Sequence, residues 1–130
     1  MDNQNNLIKR IENIEKKQED SGWKNLTLLN NWELYTSSQN IAQYRKKDGI
    51  VYLHGVIHST KVTTVQNRNI AQLPTDCIPS GIRNNLYFPI HLSNKATSTI
   101  QITNDGMIFG EINIQTGTWI SLDGISFPVG

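Results

Sequence analysis

Cysteine is nearly absent from this 130-residue chain: Cys77 stands alone, so no intramolecular disulfide forms and no cystine scaffold holds the fold. Charge of either sign is scarce as well. Twelve basic and 11 acidic side chains leave a net charge of +1, which excludes the electropositive footprint that non-specific nucleic-acid binding needs. Alanine occurs only three times, few for a helical body. Long apolar runs are missing too. The stretch around residues 50–60 is free of Asp, Glu, Lys and Arg, but Gly55, His54 and His58 interrupt it. It falls far short of the roughly 20 residues that a membrane-spanning helix requires, so no membrane insertion is expected. The opening MDNQNN lacks the basic start and apolar stretch of a secretion signal. The sequon Asn25-Leu26-Thr27 is accordingly read as coincidental.

The patterns that carry catalysis or metal binding are also lacking. His54 and His58 flank Gly55 within a strand-like run, which places them on one strand face about 13 Å apart, too far to share one ion. There is no nucleophile elbow and no phosphate-cradling glycine loop. Cys77 lies between Pro74 and Pro79 with no histidine nearby in sequence, and is read as a half-buried loop thiol. Outside the N-terminal segment the acids are Glu33, Asp48, Asp76, Asp105, Glu111 and Asp123, and half of these belong to Asp-Gly turns. The remainder is too thin a set for paired-carboxylate hydrolysis. The expectation is a protein without catalysis, metal or other cofactor.

What the chain has in quantity is β-branched and amide side chains. Seventeen Ile, 5 Val and 11 Thr make up a quarter of it, beside 15 Asn and 8 Gln. β-Branched residues suit a pleated surface and are stiff in helices. From Trp23 onward the apolar residues recur with period two. Leu26 alternates to Leu28, Trp32 to Leu34, Val51 through Leu53 and Gly55 to Ile57, Ile100 to Ile102, Ile108 to Ile112 and Ile114, and Ile120 to Leu122. This is the signature of half-buried antiparallel strands. Asp-Gly, a strong hairpin signal, occurs at Asp48-Gly49, Asp105-Gly106 and Asp123-Gly124, and Thr116-Gly117 offers a fourth reversal. Strands are placed near 23–29, 32–36, 41–47, 50–58, 62–66, 68–72, 86–92, 97–103, 107–115, 118–122 and 125–128, the last four as a meander. The loop-rich stretch 73–85, broken by Pro74 and Pro79, is expected to cross between sheets. The fold class is all-β: an antiparallel, jelly-roll-like β-sandwich with one N-terminal α-helix.

That helix is read from about residue 5 to 19, with Asn5 and Asn6 as N-cap candidates and Ser21-Gly22 as the stop. Leu7, Ile11 and Ile14 recur at spacings of four and three, and Glu12 precedes Lys16 by four. An isolated helix of this length is marginal in water, so its seam must dock on something. The options are its own β domain, a short dimeric or trimeric coiled coil, or a larger assembly. Leu7, Ile11 and Ile14 are thus the candidate assembly seam. Residues 1–21 form the helix and linker, and 22–130 the β domain.

Two further groups invite a binding role. Arg45, Lys46 and Lys47 precede the Asp48-Gly49 turn, as a solvated hairpin tip or as contacts for an anionic surface polymer. The tryptophans Trp23, Trp32 and Trp119 and the tyrosines Tyr35, Tyr44, Tyr52 and Tyr87 are the usual platforms for sugar rings, with Trp32 and Trp119 the candidate contacts. Aromatics in a thin β core more often serve that core, however, and at least two of the three tryptophans are expected to be buried.

The segments SGWKNLTLLNNW, AQYRKKDGIVYLHGVI, LPTDCIP and GTWISLDGISF, in this order, resemble small tail-tip and baseplate proteins of siphophages that infect Gram-positive bacteria. The resemblance spans about residues 22–127, with a small Bacillus-type siphophage tail protein as the nearest likeness. It implies a β-sandwich like the shoulder module of lactococcal phage receptor-binding proteins, made in the host cytoplasm and carried in the virion tail. Its partners would be other phage structural proteins, with host cell-wall saccharide as the alternative. In that plan a neck and a saccharide-binding head follow the shoulder; this chain ends at Gly130, so the resemblance carries over no receptor contact. The expected function is docking or attachment, and the alternative is a small carbohydrate-binding adhesin.

Overall fold

The computed structural model describes residues 2–17, 19–35, 41–60, 68–79, 85–93, 97–111 and 118–129. Helix α1 (Asp2–Lys17) is followed by β1 (Lys24–Asn25), β2 (Trp32–Leu34), β3 (Gln43–Lys47), β4 (Ile50–His54), β5 (Val56–Ser59) and β6 (Asn69–Gln72). Then come β7 (Asn85–His91), β8 (Thr97–Thr103), β9 (Met107–Gly110), β10 (Trp119–Ser121) and β11 (Ser126–Pro128). All pairings are antiparallel, in the orders β1-β3-β4-β11, β10-β5-β2 and β6-β9-β8-β7. The result is the expected β-sandwich with one N-terminal helix. The strand expected at 62–66, the Thr116-Gly117 turn, and Ile112 and Ile114 lie outside the described residues.

Period-two alternation survives from sequence to core. Val51, Leu53, Ile57, Ile100, Ile102, Ile108, Ile120 and Leu122 are all buried, and Leu28 and Leu34 pack against them. Burying one such side chain contributes about 1.5–3 kcal/mol of transfer free energy, which is what holds two polar-skinned layers together.

The sheets β1-β3-β4-β11 and β10-β5-β2 are joined through a bend at Gly55. The run 50–59 keeps its burial phase through the bend, but Gly55 adopts φ +118°, and a Cβ there would lie 2.4 Å from the Cα of Ala42. The opposing segment follows the bend. The Gly55 amide donates to Asp123 Oδ1 (2.9 Å), and the Leu122 amide donates to the Gly55 carbonyl (2.8 Å). This geometry corrects three expectations. His54 and His58 do not share one strand; they end β4 and sit in β5, on either side of the bend. Asp123-Gly124 is not a hairpin, because β10 pairs with β5 while β11 pairs with β4. For the same reason the last four strands are not a meander.

The other Asp-Gly turns behave as read. Asp48 (φ 54°) and Gly49 (φ 79°) form the two-residue loop between β3 and β4, both with the positive φ of a type I′ turn. Asp105-Gly106 joins β8 to β9, where the Gly106 amide donates to the Thr103 carbonyl (2.9 Å). The loop after β6 does not cross between sheets, since β6 and β7 are opposite edges of the same sheet. Among its described residues it carries one 3-10 turn, Thr75–Cys77, and touches the other layer through the bridge Pro79↔Val129. Bridges Leu28↔Ala71 and Leu92↔Ile120 tie the layers at two more margins, leaving less open edge for unwanted strand pairing.

The helix begins three residues earlier than expected, so Asn5 and Asn6 lie inside it rather than capping it. No Pro, Gly or β-branched residue precedes Ile8 to oppose the extension. The described side chains, Gln4 through Ile11, are all exposed. Beyond it, the Ser21 amide donates to the Lys46 carbonyl and the Asp48 amide to the Glu19 carbonyl (both 2.9 Å), so the arm leaves the body beside the β3–β4 turn.

Candidate functional site

Strand alternation distributes the candidate residues over distinct surfaces. In β3, the register Tyr44↔Leu53 and Lys46↔Val51 turns Tyr44 and Lys46 to the side of the core residues. Gln43, Arg45 and Lys47 therefore face outward with Tyr52 and His54. The basic run Arg45, Lys46 and Lys47 is thus at a hairpin tip, as read, but split between two faces. Arg45 is committed: its Nε donates to Asp20 Oδ1 (2.8 Å), its other guanidinium nitrogen reaches Oδ2, and its Cζ lies 5.9 Å from the Trp23 ring centroid. Asp20 also accepts from the Gly22 amide (2.9 Å). Chiefly through the Arg45 bond, its carboxyl is held well below the usual carboxylate range.

Trp23, 41% exposed, lies flat on His54 with ring centroids 3.9 Å apart and planes 7° from parallel. His54 Nε2 is 2.7 Å from Gln43 Oε1, and Gln43 Nε2 donates to Asn25 Oδ1 (2.8 Å). Trp23 and His54 thus use one ring face each on the other, and both ends of the Gln43 amide are engaged within the network.

The outward face of β10-β5-β2 is organised differently. The registers Glu33↔His58 and Trp119↔His58 set Glu33, His58 and Trp119 in one cross-strand row. Tyr35, two residues beyond Glu33, shares that face, and its ring leans over β5. Its centroid is 5.9 Å from that of His58, edge to face at 82°, and 5.9 Å from that of Trp119, tilted 43°. Glu33 Oε2 lies 3.9 Å from His58 Nε2, with the Glu33 side chain 62% exposed. Two tilted rings beside a solvent-facing carboxylate form an open shelf that can pack a flat, partly apolar ring and hydrogen-bond its rim.

Trp32 does not belong to any such surface. It is 3% exposed and sits in the core, because it alternates in phase with Leu34 rather than with Glu33 and Tyr35. It is the one tryptophan buried; Trp119 is half-buried and Trp23 exposed, which corrects the expectation of at least two. Tyr35 is one of the aromatics that the sequence offers as a platform, but neither it nor His58 and Glu33 is singled out there as a contact, although the alternation Trp32-Glu33-Leu34-Tyr35 already places Glu33 and Tyr35 on the face opposite the core. Of the seam, Leu7 and Ile11 are exposed, as is Ile8 beside them; the side chain of Ile14 lies outside the described ones.

Cys77 is buried, not half-buried, at the end of its 3-10 turn. Burial first, and then the neighbouring Asp76 carboxylate, push its thiol up to about 11, so it stays protonated and unreactive near neutrality. A cleft of about 260 Å³ beside β1 is lined by Asn25, Tyr44 and Gln72 among others. Its amides are engaged internally: Gln72 Nε2 donates to the carbonyls of Leu73 (3.1 Å) and Asp105 (2.7 Å). Among the described residues no group of three or more His, Cys, Asp or Glu side chains is placed to hold a metal, and no helix is long and apolar enough to cross a membrane.

No protein-family model matches the chain, and no curated protein matches it significantly in sequence. Among solved structures the fold is similar to that of the receptor binding protein (gp15) of Listeria phage PSA. The TM-score is 0.66 at 19% sequence identity, covering 99% of this chain and 76% of that one. At that identity the likeness is one of fold.

Proposed function

We propose that this chain is a virion protein of a phage tail, acting as a docking or attachment module without catalysis. The single observation that carries the reading is the extent of the fold likeness: nearly the whole chain, helix included, follows the receptor binding protein of a Listeria phage. Residues 1–21 serve as the arm and 22–130 as the β body. The seam of Leu7, Ile11 and Ile14 supplies the contact with other phage structural proteins. Leu7 and Ile11 are 57% and 46% exposed, and an apolar helix face left in water is unfavourable unless a partner covers it. A siphophage of Gram-positive, Bacillus-type hosts, with this module in its baseplate, is the setting that the sequence resemblance supports. Immunogold labelling of purified virions of the encoding phage tests this: label at the tail tip is expected, and virions without label would refute it.

A second reading, a small adhesin that binds host cell-wall saccharide, is favoured by the Tyr35–Trp119 shelf. Retention of the purified protein on host cell walls, and its loss when the shelf is altered, separates this reading from docking alone.

A further inference from the structure

The outward face of β10-β5-β2 carries side chains that add nothing to the core yet converge on one spot. Tyr35 directly follows β2 and Trp119 lies in β10, with β5 between their backbones. Neighbouring strands are about 4.8 Å apart, so the two backbones are separated by roughly twice that. Their ring centroids nevertheless approach to 5.9 Å, because both side chains lean inward over β5. His58 sets its edge against Tyr35 from below, at 82°. The two larger rings meet at 43° with their centroids at aromatic contact distance, so they pack on each other into one continuous surface, unlike the parallel stack of Trp23 on His54 at 3.9 Å and 7°. Tyr35 remains 48% exposed, so part of that ring surface faces solvent.

We infer that this face binds a single pyranose ring of a neutral or amino hexose. The ring's C–H groups pack on Tyr35 and Trp119, and the Glu33 carboxylate accepts hydrogen bonds from hydroxyls or an ammonium group at its edge. An apolar body with a polar rim is what tyrosine and tryptophan shelves accommodate. Charge selects the class further. Glu33 is the outermost charge of the shelf, its side chain 62% exposed, and it repels phosphate or carboxylate polymers. Among the described residues, Arg45 and Lys47 face outward from the neighbouring sheet, and Arg45 is held by Asp20. The site is separate from the basic run of Arg45, Lys46 and Lys47, to which the anionic-polymer expectation attaches. It deepens the adhesin reading by naming its ligand class, and it does not depend on where the chain sits in a virion.

The test is saturation-transfer NMR on the full chain with glucose, galactose and N-acetylglucosamine as probes, and poly(glycerol phosphate) as the anionic comparison. Transfer to ring protons of at least one hexose is expected. Tyr35→Ala and Trp119→Ala should each weaken it about tenfold, while Tyr35→Phe, which keeps the ring, retains it. Tyr87→Ala removes an exposed tyrosine from the other layer (61% exposed) and should leave transfer unchanged. Circular dichroism of each variant reports that the fold is intact; should Trp119→Ala not fold, the comparison of Tyr35→Ala with Tyr35→Phe decides. No transfer to any of the three hexoses, equal transfer in Tyr35→Ala and wild type, or preferential binding of poly(glycerol phosphate) would each overturn the site. Virions that carry the protein while these hexoses fail to bind would remove this site and leave the tail assignment standing.

Discussion

Replacing Gly55 by alanine should cost about 2–5 kcal/mol of stability, and the figure follows from two separable effects. The first is backbone conformation: an L residue held at φ +118° costs about 1–3 kcal/mol. The second is contact. The new Cβ would lie 2.4 Å from Ala42 Cα, 2.7 Å from Ala42 N and 2.7 Å from the Ile41 carbonyl oxygen. All three are backbone atoms, so no side chain can rotate aside, and the chain entering β3 must shift. Such overpacking typically adds about 1–3 kcal/mol. The stiffer unfolded chain offsets this by about 0.4–1 kcal/mol. For a domain of this size each kcal/mol lowers Tm by about 3–5 °C, so thermal melts followed by circular dichroism should fall by roughly 8–20 °C. Gly124→Ala is the internal control. Its φ is +85°, but nothing lies within 4 Å of the added Cβ, so conformation alone acts, at about 1–2 kcal/mol. If Gly55→Ala melts no lower than Gly124→Ala, the bend is not a steric requirement and the account of the joined sheets is wrong.

Three other outcomes follow from the same geometry. Ile102→Ala, at a fully buried position, should lose about 2–5 kcal/mol through lost burial and the cavity left behind, whereas Tyr87→Ala should stay within about 0.5 kcal/mol of wild type; urea titrations measure both. Asp20 ionises more readily folded than unfolded, so its ion pair stabilises the fold above its ordinary value of 3.8 and the contribution is lost as pH falls below that. The gap in Tm between wild type and Asp20→Asn should accordingly be full at neutral pH and close in strong acid. It should also be small, because the pair is solvent-exposed; a gap that widens in acid would contradict the assignment. Cys77 should resist thiol reagents at mildly alkaline pH in the native state and react fully once denaturant opens the core. Rapid native labelling would mean that the 3-10 turn opens or that the thiol is not buried.

Much of the architecture was legible because it is written in local chemistry. The alternation of Val51, Leu53 and Ile57, and of Ile100 and Ile102, encodes which face is buried whatever strand lies alongside. Asp48-Gly49 encodes its own turn because positive φ at consecutive positions is tolerated by few residue pairs. The same local rule misled at Asp123-Gly124, where the turn forms but its two flanking strands have other partners. The site was less legible. Tryptophan as a residue type suggested Trp32, while its own alternation pointed inward; the residues that meet on the shelf come from β2, β5 and β10, far apart in sequence.

By itself, then, the sequence determined an all-β body with an amphipathic N-terminal helix, the buried face of each strand and two of the hairpins. These depend on side-chain period and on φ preferences, which act over a few residues. Only the tertiary structure decided that one strand run bends at Gly55, that β10 and β11 part company to follow it, and that Tyr35, His58, Trp119 and Glu33 share a surface. Those outcomes depend on how closely the chain entering β3 approaches Gly55 and on which distant strand completes each hydrogen-bond ladder. Such long-range packing has no counterpart in any short stretch of residues.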